Sequence, residues 1–223
     1  MLTIRDLKES KNAPVEEAYN ALRTNINFCG INGEIKTLAV ASFAPGDGKT
    51  TTAINLAVNM ARSGKKAIVI DADLRKPVFH KQLSGVNQKG LANYISGTAE
   101  LNDIIDKTSV DNLYFISCGP KPPNPTELLD SERFSGLLEE LKKIFDIVII
   151  DTPPLGSVID CAIIASHTDT TLLVIKPGSA PYYKVQKLKE QLEKVNARIL
   201  GVVLNKVAKR DYKKLHSYYN YYG

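Results

Sequence analysis

The sequence lacks the features that would assign it to a membrane-spanning, secreted or metal-binding class. No uninterrupted apolar stretch approaches about 18 residues, the length that a transmembrane helix needs. Residues 1–11 contain no apolar signal-peptide core, so we expect no secretion. The three histidines show no metal-ligand spacing. The three cysteines, Cys29, Cys118 and Cys161, form no C-x-x-C pair, which is typical of small buried side chains in a reduced cytosolic protein.

The excess of positive over negative charge lies mainly at the end of the chain. The formal net charge is +5, and residues 206–223 hold five basic side chains and one acid, a net +4. The rest of the chain is therefore nearly neutral, which argues against a broad nucleic-acid-binding face. The apolar pattern also ends near Leu204. We therefore expect residues 1–205 to form one domain and residues 206–223 to form a flexible basic tail.

The apolar pattern predicts alternating strands and helices. Short runs of Val, Ile, Leu and Ala without polar alternation are typical of strands buried on both faces of a parallel sheet. The predicted strands lie near 37–43, 67–71, 113–117, 146–150, 170–175 and 199–204. The predicted helices span about 14–28, 49–62, 131–144, 157–166 and 181–195. Four prolines within 119–125 indicate an ordered loop or a rigid spacer. The expected fold class is α/β, a three-layer, doubly wound and mostly parallel sheet with sites at the carboxyl ends of its strands.

A glycine-rich turn follows the first of these predicted strands. It consists of Ala44, Pro45, Gly46, Asp47, Gly48, Lys49, Thr50 and Thr51. Gly46 and Gly48 lack a Cβ, so the chain can turn tightly and direct amides at a β-phosphate. Lys49 is predicted to reach the β and γ oxygens, with its ammonium facing solvent before nucleotide binds, and Thr50 to bind Mg²⁺. Phe43 replaces the usual first glycine, so this motif alone is also compatible with an ordinary turn.

Aspartates end two of the later predicted strands. Asp71 and Asp73 close the second, and Asp151 closes the fourth. If the strand geometry continues, the carboxylates of Asp71 and Asp73 point to one side and repel each other unless a cation intervenes. We therefore predict a Mg²⁺ site of Thr50, Asp71 and Asp151, the last acting through water. A turn or capping role explains any one aspartate but poorly explains all three. Arg75 either neutralises transferred charge or is simply solvated.

Together these motifs resemble those of the bacterial tyrosine kinases of the P-loop type. The resemblance covers nearly the whole chain and is carried by residues 69–77, residues 122–129 and the tyrosine-rich end. It implies an ATP- and Mg²⁺-dependent protein-tyrosine kinase with Lys49, Asp71, Asp73 and Arg75 at its catalytic centre. Asp71 or Asp73 would accept the phenolic proton. The tyrosines expected to be autophosphorylated are Tyr212, Tyr218, Tyr219, Tyr221 and Tyr222.

The resemblance also implies partners and a location. Family members of this size resemble the stand-alone cytoplasmic catalytic subunit of Gram-positive capsule and exopolysaccharide systems. They lie at the inner face of the membrane through a transmembrane activator, and a cognate tyrosine phosphatase is expected. Glu17 and Arg23 match the family's assembly motif, but Asn20 replaces its middle arginine, so ring assembly is expected to be weaker or differently built. Asn205 matches an adenine-contacting residue of related ATPases, and a role in capping a strand end explains it equally well.

A partitioning or cell-division ATPase, acting as a dimeric switch on DNA or membrane, is the alternative function. That class resembles this chain in its P-loop sheet. Its diagnostic feature is a second lysine near the start of the P-loop, where this chain has Ala44. A basic tail is able to bind anionic lipid. The tyrosines that crowd this tail, however, give it little amphipathic helical character, so the kinase is the favoured prediction.

Overall fold

Strands and helices alternate along the described part of the chain. This computed structural model describes residues 3–4, 13–30, 34–76, 83–84, 88–156 and 159–208. In order, the elements are β1 (Thr3–Ile4), α1 (Ala13–Cys29), β2 (Thr37–Ser42), α2 (Lys49–Arg62), β3 (Ala67–Asp71), β4 (Leu83–Ser84), α3 (Leu91–Ile95), α4 (Leu101–Ile104), β5 (Ile105–Lys107), β6 (Leu113–Ile116), α5 (Pro125–Leu129), α6 (Glu132–Ile144), β7 (Ile147–Asp151), α7 (Asp160–Ser166), β8 (Thr170–Ile175), α8 (Tyr182–Lys194) and β9 (Ile199–Leu204).

A seven-stranded sheet forms the centre of the fold, in the order β5-β6-β3-β7-β2-β8-β9. Its neighbours are parallel except β5, which pairs antiparallel with β6. All six predicted strands are present, each within one residue of its predicted bounds. The edge strand β5 was not predicted, because its three residues carry no apolar run. Separately, β1 pairs antiparallel with β4.

Helices cover both faces of the sheet, which confirms the three-layer, doubly wound class. On one face α1 and α2 pack through Ile26, Leu56 and Met60 onto alternate residues of β2, β3 and β7. On the other face α3, α5, α6 and α7 pack onto the intervening residues, with Phe134 fully buried at the centre. Fully burying one such side chain stabilises the fold by roughly 1.5–3 kcal/mol. Strands β2, β3 and β7 are buried along their whole length, so they need no polar alternation.

The long helices match their predicted spans, whereas the short ones were missed. Helices α1, α2, α6 and α8 lie within one residue of prediction, and α7 begins at Asp160 rather than 157. Helices α3, α4 and α5 have four or five residues each, too few to show a 3.6-residue period. The proline-rich segment is an ordered loop whose last proline, Pro125, occupies the first turn of α5.

Strand order brings three strand ends together. β7 lies between β2 and β3, so that Asp71 stands beside Asp151 in register, and Val40 of β2 pairs with Asp151 from the other side. From β2 the chain crosses through α2 to β3, and from β7 it continues through α7 to β8 on the opposite side. This reversal opens a crevice at the carboxyl ends of the strands. Among the described residues, no helix combines the length and apolar character needed to cross a bilayer.

Candidate nucleotide and catalytic site

The glycine-rich turn of residues 44–51, the P-loop of this chain, is shaped by contacts among its own residues. Gly46 and Gly48 have φ values of 85° and 100°, in the left-handed region that favours glycine. The carboxylate of Asp47 is buried and accepts a hydrogen bond from the amide of Ala44 at 3.0 Å, closing the turn between β2 and α2. A Cβ at Gly48 would collide with the side chain of Asn205. The turn therefore combines left-handed backbone with a close approach that only glycine permits.

Residues that follow β9 hold the outer side of the P-loop. The Asn205 side-chain amide donates to the carbonyl of Asp47 at 2.9 Å, and Lys206 Nζ donates to the carbonyl of Gly46 at 2.7 Å. Asn205 is fixed in turn, because its backbone amide donates to Ile175 at the end of β8 at 2.9 Å. We had predicted an adenine contact or a strand cap for Asn205. Its contact with the P-loop backbone is a further role that the sequence did not indicate.

On its inner side, which faces the end of β7, the P-loop is held by an ion pair and a hydrogen bond to Asp151. Lys49 Nζ lies 2.5 Å from Asp151 Oδ1, and the Thr50 hydroxyl donates to Asp151 Oδ2 at 2.7 Å. The side chains of Lys49 and Asp151 are only 7% and 0% exposed. The expectation that the Lys49 ammonium faces solvent without nucleotide is therefore wrong. It failed because β7 ends directly beneath the P-loop and supplies a buried counter-ion.

Two buried carboxylates lie next to each other at this site. Burial raises the pKa of Asp151, while the Lys49 ammonium and the Thr50 hydroxyl act in the opposite direction. Burial also raises the pKa of Asp71 well above its ordinary value, and the neighbouring Asp151 carboxylate raises it further. The Asp71 Oδ2 atom is buried and has no hydrogen-bond partner among the described residues. An added cation would relieve both the repulsion and this missing contact.

Asp73 lies on a turn and not on the strand. Strand β3 ends at Asp71, so the condition for two carboxylates on one side of a continuing strand is not met. Instead, the Asp73 amide donates to Asp71 Oδ1 at 3.2 Å, and the Asp73 carboxylate accepts from the Lys76 amide at 2.9 Å. Both aspartates are buried, at 1% and 6% exposure. The turn keeps Asp73 adjacent to the carboxylates of β3 and β7.

The donor atoms at this site fit Mg²⁺. Within the described ranges, no three His, Cys, Asp or Glu side chains form a metal-binding group. Mg²⁺ does not need one, because it is usually held by one or two carboxylates together with substrate phosphates and waters. The hydroxyl of Thr50 and the carboxylates of Asp151 and Asp71 are hard oxygen donors in one place. These residues would hold the ion, which when bound would offset phosphate charge.

Arg75 is neither free nor simply solvated. Its guanidinium donates to both oxygens of Asp160, at 2.6 and 3.0 Å, and to the hydroxyl of Thr126 at 2.7 Å. Thr126 also donates to Asp160 at 2.8 Å. Burial alone would raise the pKa of Asp160, but the hydrogen bonds from Arg75 and Thr126 lower it overall. Sequence analysis missed Asp160 and Thr126, although Thr126 lies in the 122–129 segment that carried the resemblance.

The assembly residues lie on α1. Glu17 is exposed there, and Arg23 donates to the backbone carbonyl of Asn59 at 3.4 Å. Asn20, at the position of the missing arginine, accepts a hydrogen bond from the side chain of Asn59 at 2.8 Å. Helix α1 is thus tied to α2 within the chain. The tyrosines predicted to be phosphorylated in the tail, Tyr212, Tyr218, Tyr219, Tyr221 and Tyr222, lie outside the described residues.

Comparisons with known proteins converge on one group. Residues 35–205 match the family described as AAA domain. The chain is 45% identical to the tyrosine-protein kinase CpsD of Streptococcus agalactiae, covering 92% of this chain and 90% of that protein. A putative tyrosine-protein kinase in the cps region of Klebsiella pneumoniae is 38% identical over 87% of this chain and 27% of that protein.

Solved structures show the same similarity. A crystal structure of the chimerical protein CapA2B2 superposes with a TM-score of 0.85 at 34% identity, covering 93% of both chains. The kinase domain of the Escherichia coli tyrosine kinase ETK gives 0.84 at 37% identity, covering 87% of this chain and 76% of that one. The cell division ATPase MinD of Pyrococcus furiosus is more distant, with a TM-score of 0.65 at 26% identity and coverage of 78% and 74%.

Proposed function

The chain belongs to the AAA-domain family and, within it, to the bacterial tyrosine-protein kinases; on that premise we propose that its main substrate is its own tyrosine-rich tail, phosphorylated between subunits. The observation that carries this proposal is the buried Lys49–Asp151–Thr50 cluster beside Asp71. It provides the cation, the hydroxyl and the carboxylates that ATP and Mg²⁺ require.

Each residue of the site has a role in this proposal. The backbone amides of residues 46–51 surround the β-phosphate, and the Lys49 ammonium leaves Asp151 to contact the β and γ oxygens. Thr50, Asp71 and, through water, Asp151 would hold Mg²⁺, which would offset the charge of the phosphates. Phosphoryl transfer has a loose transition state, so these groups act mainly by positioning and by offsetting charge. A tyrosine hydroxyl, with a pKa of about 10, releases its proton late, to Asp71 or Asp73.

Mixing two variants tests transfer between subunits. One chain carries Lys49→Ala with an intact tail; the other is active, but all five of its tail tyrosines are replaced by Phe. After incubation with Mg-ATP, phosphotyrosine is expected on the tail of the Lys49→Ala chain. The Lys49→Ala chain alone is the control and is expected to stay unlabelled, with its folding checked by thermal unfolding. An unlabelled tail in the mixture would contradict transfer between subunits.

Regulation of capsule or exopolysaccharide synthesis, under the control of a membrane activator, belongs to the same proposal. A relative named for its cps region supports the pathway, and the name of the chimera CapA2B2 joins two components, which supports a second protein. We place the chain in the cytoplasm, at the inner membrane face through that activator, with a tyrosine phosphatase reversing its action. A hydrophobic cytoplasmic segment from the activator is expected to raise autophosphorylation; equal rates with and without it would contradict this part.

The tail would act as an electrostatic switch of assembly. Unmodified, residues 206–223 carry a net +4; Lys206 contacts the carbonyl of Gly46, and the residues beyond it, extended, would reach at most about 60 Å, enough to enter the carboxylate-lined site of a neighbour. Five phosphates, each of about −1.5 to −2, would reverse that charge and replace attraction by repulsion. Light scattering is expected to show an oligomer for tail Tyr→Phe variants and dissociation for Tyr→Glu variants. Equal masses for the two would refute the switch and leave the kinase assignment standing.

The switch ATPase alternative has one observation in its favour, the structural similarity to MinD. That similarity is accompanied by only 26% identity, against 45% for the tyrosine-protein kinase CpsD. Ala44 also occupies the position where that class has its second lysine. Mass spectrometry after Mg-ATP incubation separates the two functions: phosphotyrosine on the tail supports the kinase, and its complete absence supports the switch.

A further inference from the structure

Two tyrosines outside the tail are exposed in the folded domain. The chain has ten tyrosines, and five lie outside the tail. Tyr182 and Tyr183 begin α8, and 82% and 57% of their surfaces are exposed. A phenol must reach solvent and turn toward a phosphoryl donor before it can be modified. By this criterion the pair at the start of α8 differs from the other described tyrosines.

The remaining three described tyrosines are held by their surroundings. Tyr19 is partly buried against the core, which raises the pKa of its hydroxyl, and the side chains of Thr52 and Asn55 act on that pKa in the opposite direction. The Tyr94 hydroxyl donates to Glu140 at 3.3 Å, and the Arg133 guanidinium lies over its ring. The third, Tyr114, packs edge-on against Phe145 with their ring centroids 5.2 Å apart. Modification of any of the three would require these contacts to break.

The exposed pair lies at the sheet edge that carries the nucleotide site. Helix α8 follows the carboxyl end of β8, which pairs with β2 on one side and with β9 on the other. At that end, the carbonyl of Ile175 accepts from the amide of Asn205, whose side chain holds the P-loop at Asp47. Tyr182 therefore lies seven residues along the chain from Ile175, which is linked through Asn205 to the P-loop.

The charge around this pair resembles that of the tail. Residues 176–189 contain Lys176, Lys184, Lys187 and Lys189 and no acidic residue, a net +4. Residues 206–223 also carry +4. The candidate site holds three aspartates, Asp71, Asp73 and Asp151, against the single buried ammonium of Lys49, and this acidic excess attracts a basic segment and disfavours an acidic one. If the site attracts the tail because the tail is basic, it should attract the equally basic start of α8 as well.

We propose that Tyr182 and Tyr183 form a second autophosphorylation site, separate from the tail; this rests on the proposed kinase activity. The phenolic oxygen forms a bond to the γ-phosphorus of ATP as the bond from that phosphorus to the β–γ bridging oxygen breaks. ADP leaves, and the phenolic proton passes to a site carboxylate. The product places a dianionic group at the N-terminal turn of a 13-residue helix and near Lys184, where the helix dipole and the ammonium favour it.

The test uses the full chain with all five tail tyrosines replaced by Phe, incubated with Mg-ATP. Mass spectrometry is expected to find phosphate on the peptide that holds Tyr182 and Tyr183, and to lose it when both become Phe. The wild-type chain is run in parallel. A labelled wild-type tail with no phosphate at Tyr182 or Tyr183 would overturn this inference alone. No phosphotyrosine on either chain would overturn the proposed function and this inference together.

Two controls separate a docked substrate from incidental labelling. Lys184→Glu with Lys187→Glu changes exposed side chains only and is expected to reduce labelling at Tyr182 and Tyr183 while the wild-type tail stays labelled. Unchanged labelling would contradict charge-based selection. Nitration by tetranitromethane, which requires no ATP, is expected to modify Tyr182 and Tyr183 before Tyr19. If Tyr19 reacts first, the exposure on which the inference depends is wrong.

Discussion

The two sides of the P-loop are held by different chemistry. On the inner side a buried ammonium of Lys49 meets the buried carboxylate of Asp151, which also accepts from Thr50. On the outer side Asn205 and Lys206 donate to backbone carbonyls at the protein surface. Every inner side chain is one that the reaction itself would use, whereas the outer ones contact only the backbone of the loop.

The inner contacts therefore bear on the stability of the protein and on its chemistry, whereas the outer contacts bear on the conformation of the P-loop. In the proposed reaction, nucleotide and Mg²⁺ would compete directly with the inner contacts, because Lys49 would reach phosphate and Asp151 would turn to the metal. The inner cluster would then contribute both to stability and to catalysis. The outer contacts involve the carbonyls of Gly46 and Asp47, which leaves the amides of the loop available for phosphate. We therefore expect inner substitutions to affect turnover and stability, and outer ones to affect nucleotide affinity.

Lys49→Met is expected to give the largest effect. It removes the cation that offsets charge on the transferring phosphoryl group, so autophosphorylation should fall by at least about 10²–10³-fold, the range for loss of one preorganised donor. Phosphotyrosine formation per unit time, measured by mass spectrometry with Mg-ATP, checks the result. Lys206→Met, which removes an outer ammonium of the same kind, is the matched control and should retain most turnover. Similar losses in both variants would remove the distinction between the two sides.

The same substitution should also destabilise the nucleotide-free protein. Lys49→Met leaves the fully buried Asp151 carboxylate without its counter-ion, and breaking a buried pair from one side costs about 3–5 kcal/mol. The double variant Lys49→Met with Asp151→Asn removes both charges and should recover most of this loss without recovering activity. Urea unfolding of the wild type, both single variants and the double variant measures the coupling. Additive losses would mean that the pair contributes no mutual stabilisation.

Asp71→Asn should lose activity but gain stability, most clearly at neutral pH. The raised pKa of Asp71 means that the folded state holds a proton that the unfolded state has released. Its contribution to stability is therefore complete below its ordinary pKa of 3.8 and is lost as the pH rises toward the folded-state value. Asparagine does not titrate, so the difference in Tm between Asp71→Asn and wild type should increase from pH 4 upward.

The measurement is made in EDTA, because bound Mg²⁺ would stabilise the Asp71 carboxylate and hide the effect. The Asp160→Asn variant serves as a control, because the contribution of Asp160 to stability should depend on pH in the opposite direction. The pKa of Asp160 is lowered overall by Arg75 and Thr126, so its contribution to stability is present above the ordinary carboxyl range and is lost as the pH falls. A Tm difference for Asp71→Asn that is constant with pH would show that this carboxyl does not titrate differently in the folded state.

The fold and the inner cluster were accessible from the sequence because local patterns encode them. Each buried strand is a continuous apolar run; Asp71 and Asp151 end two such runs, and Lys49 and Thr50 follow the glycine-rich turn after a third. In a doubly wound sheet, residues at the carboxyl ends of strands meet in one crevice, so their proximity follows from the topology. Even so, the ion pair itself was not predicted, because sequence does not show which charge lies beneath which loop.

Contacts between distant segments that share no motif could not be predicted. Asp160 reaches Arg75 across 85 positions, and Asn205 reaches Asp47 across 158. Neither has a local signature, since an aspartate at a helix start and an asparagine after a strand are ordinary capping residues. The turn that holds Asp73 was equally hidden, because it depends on the bond between the Asp73 carboxylate and the Lys76 amide rather than on any apolar pattern.

The smallest effects are expected for substitutions on the outer side of the P-loop. Asn205→Ala removes one hydrogen bond of a kind that contributes about 0.5–1.5 kcal/mol, so the KM for ATP should rise by roughly 2–10-fold. Its kcat should stay nearly constant, because nothing that touches the transferring phosphoryl group is removed. Lys206→Ala should behave similarly, and Lys206→Arg should restore affinity by donating to the same carbonyl of Gly46. Steady-state phosphorylation of a tyrosine copolymer at varied ATP measures both constants. A fall in kcat with unchanged KM would instead assign the outer residues to the chemical step, and the division between the two sides would fail.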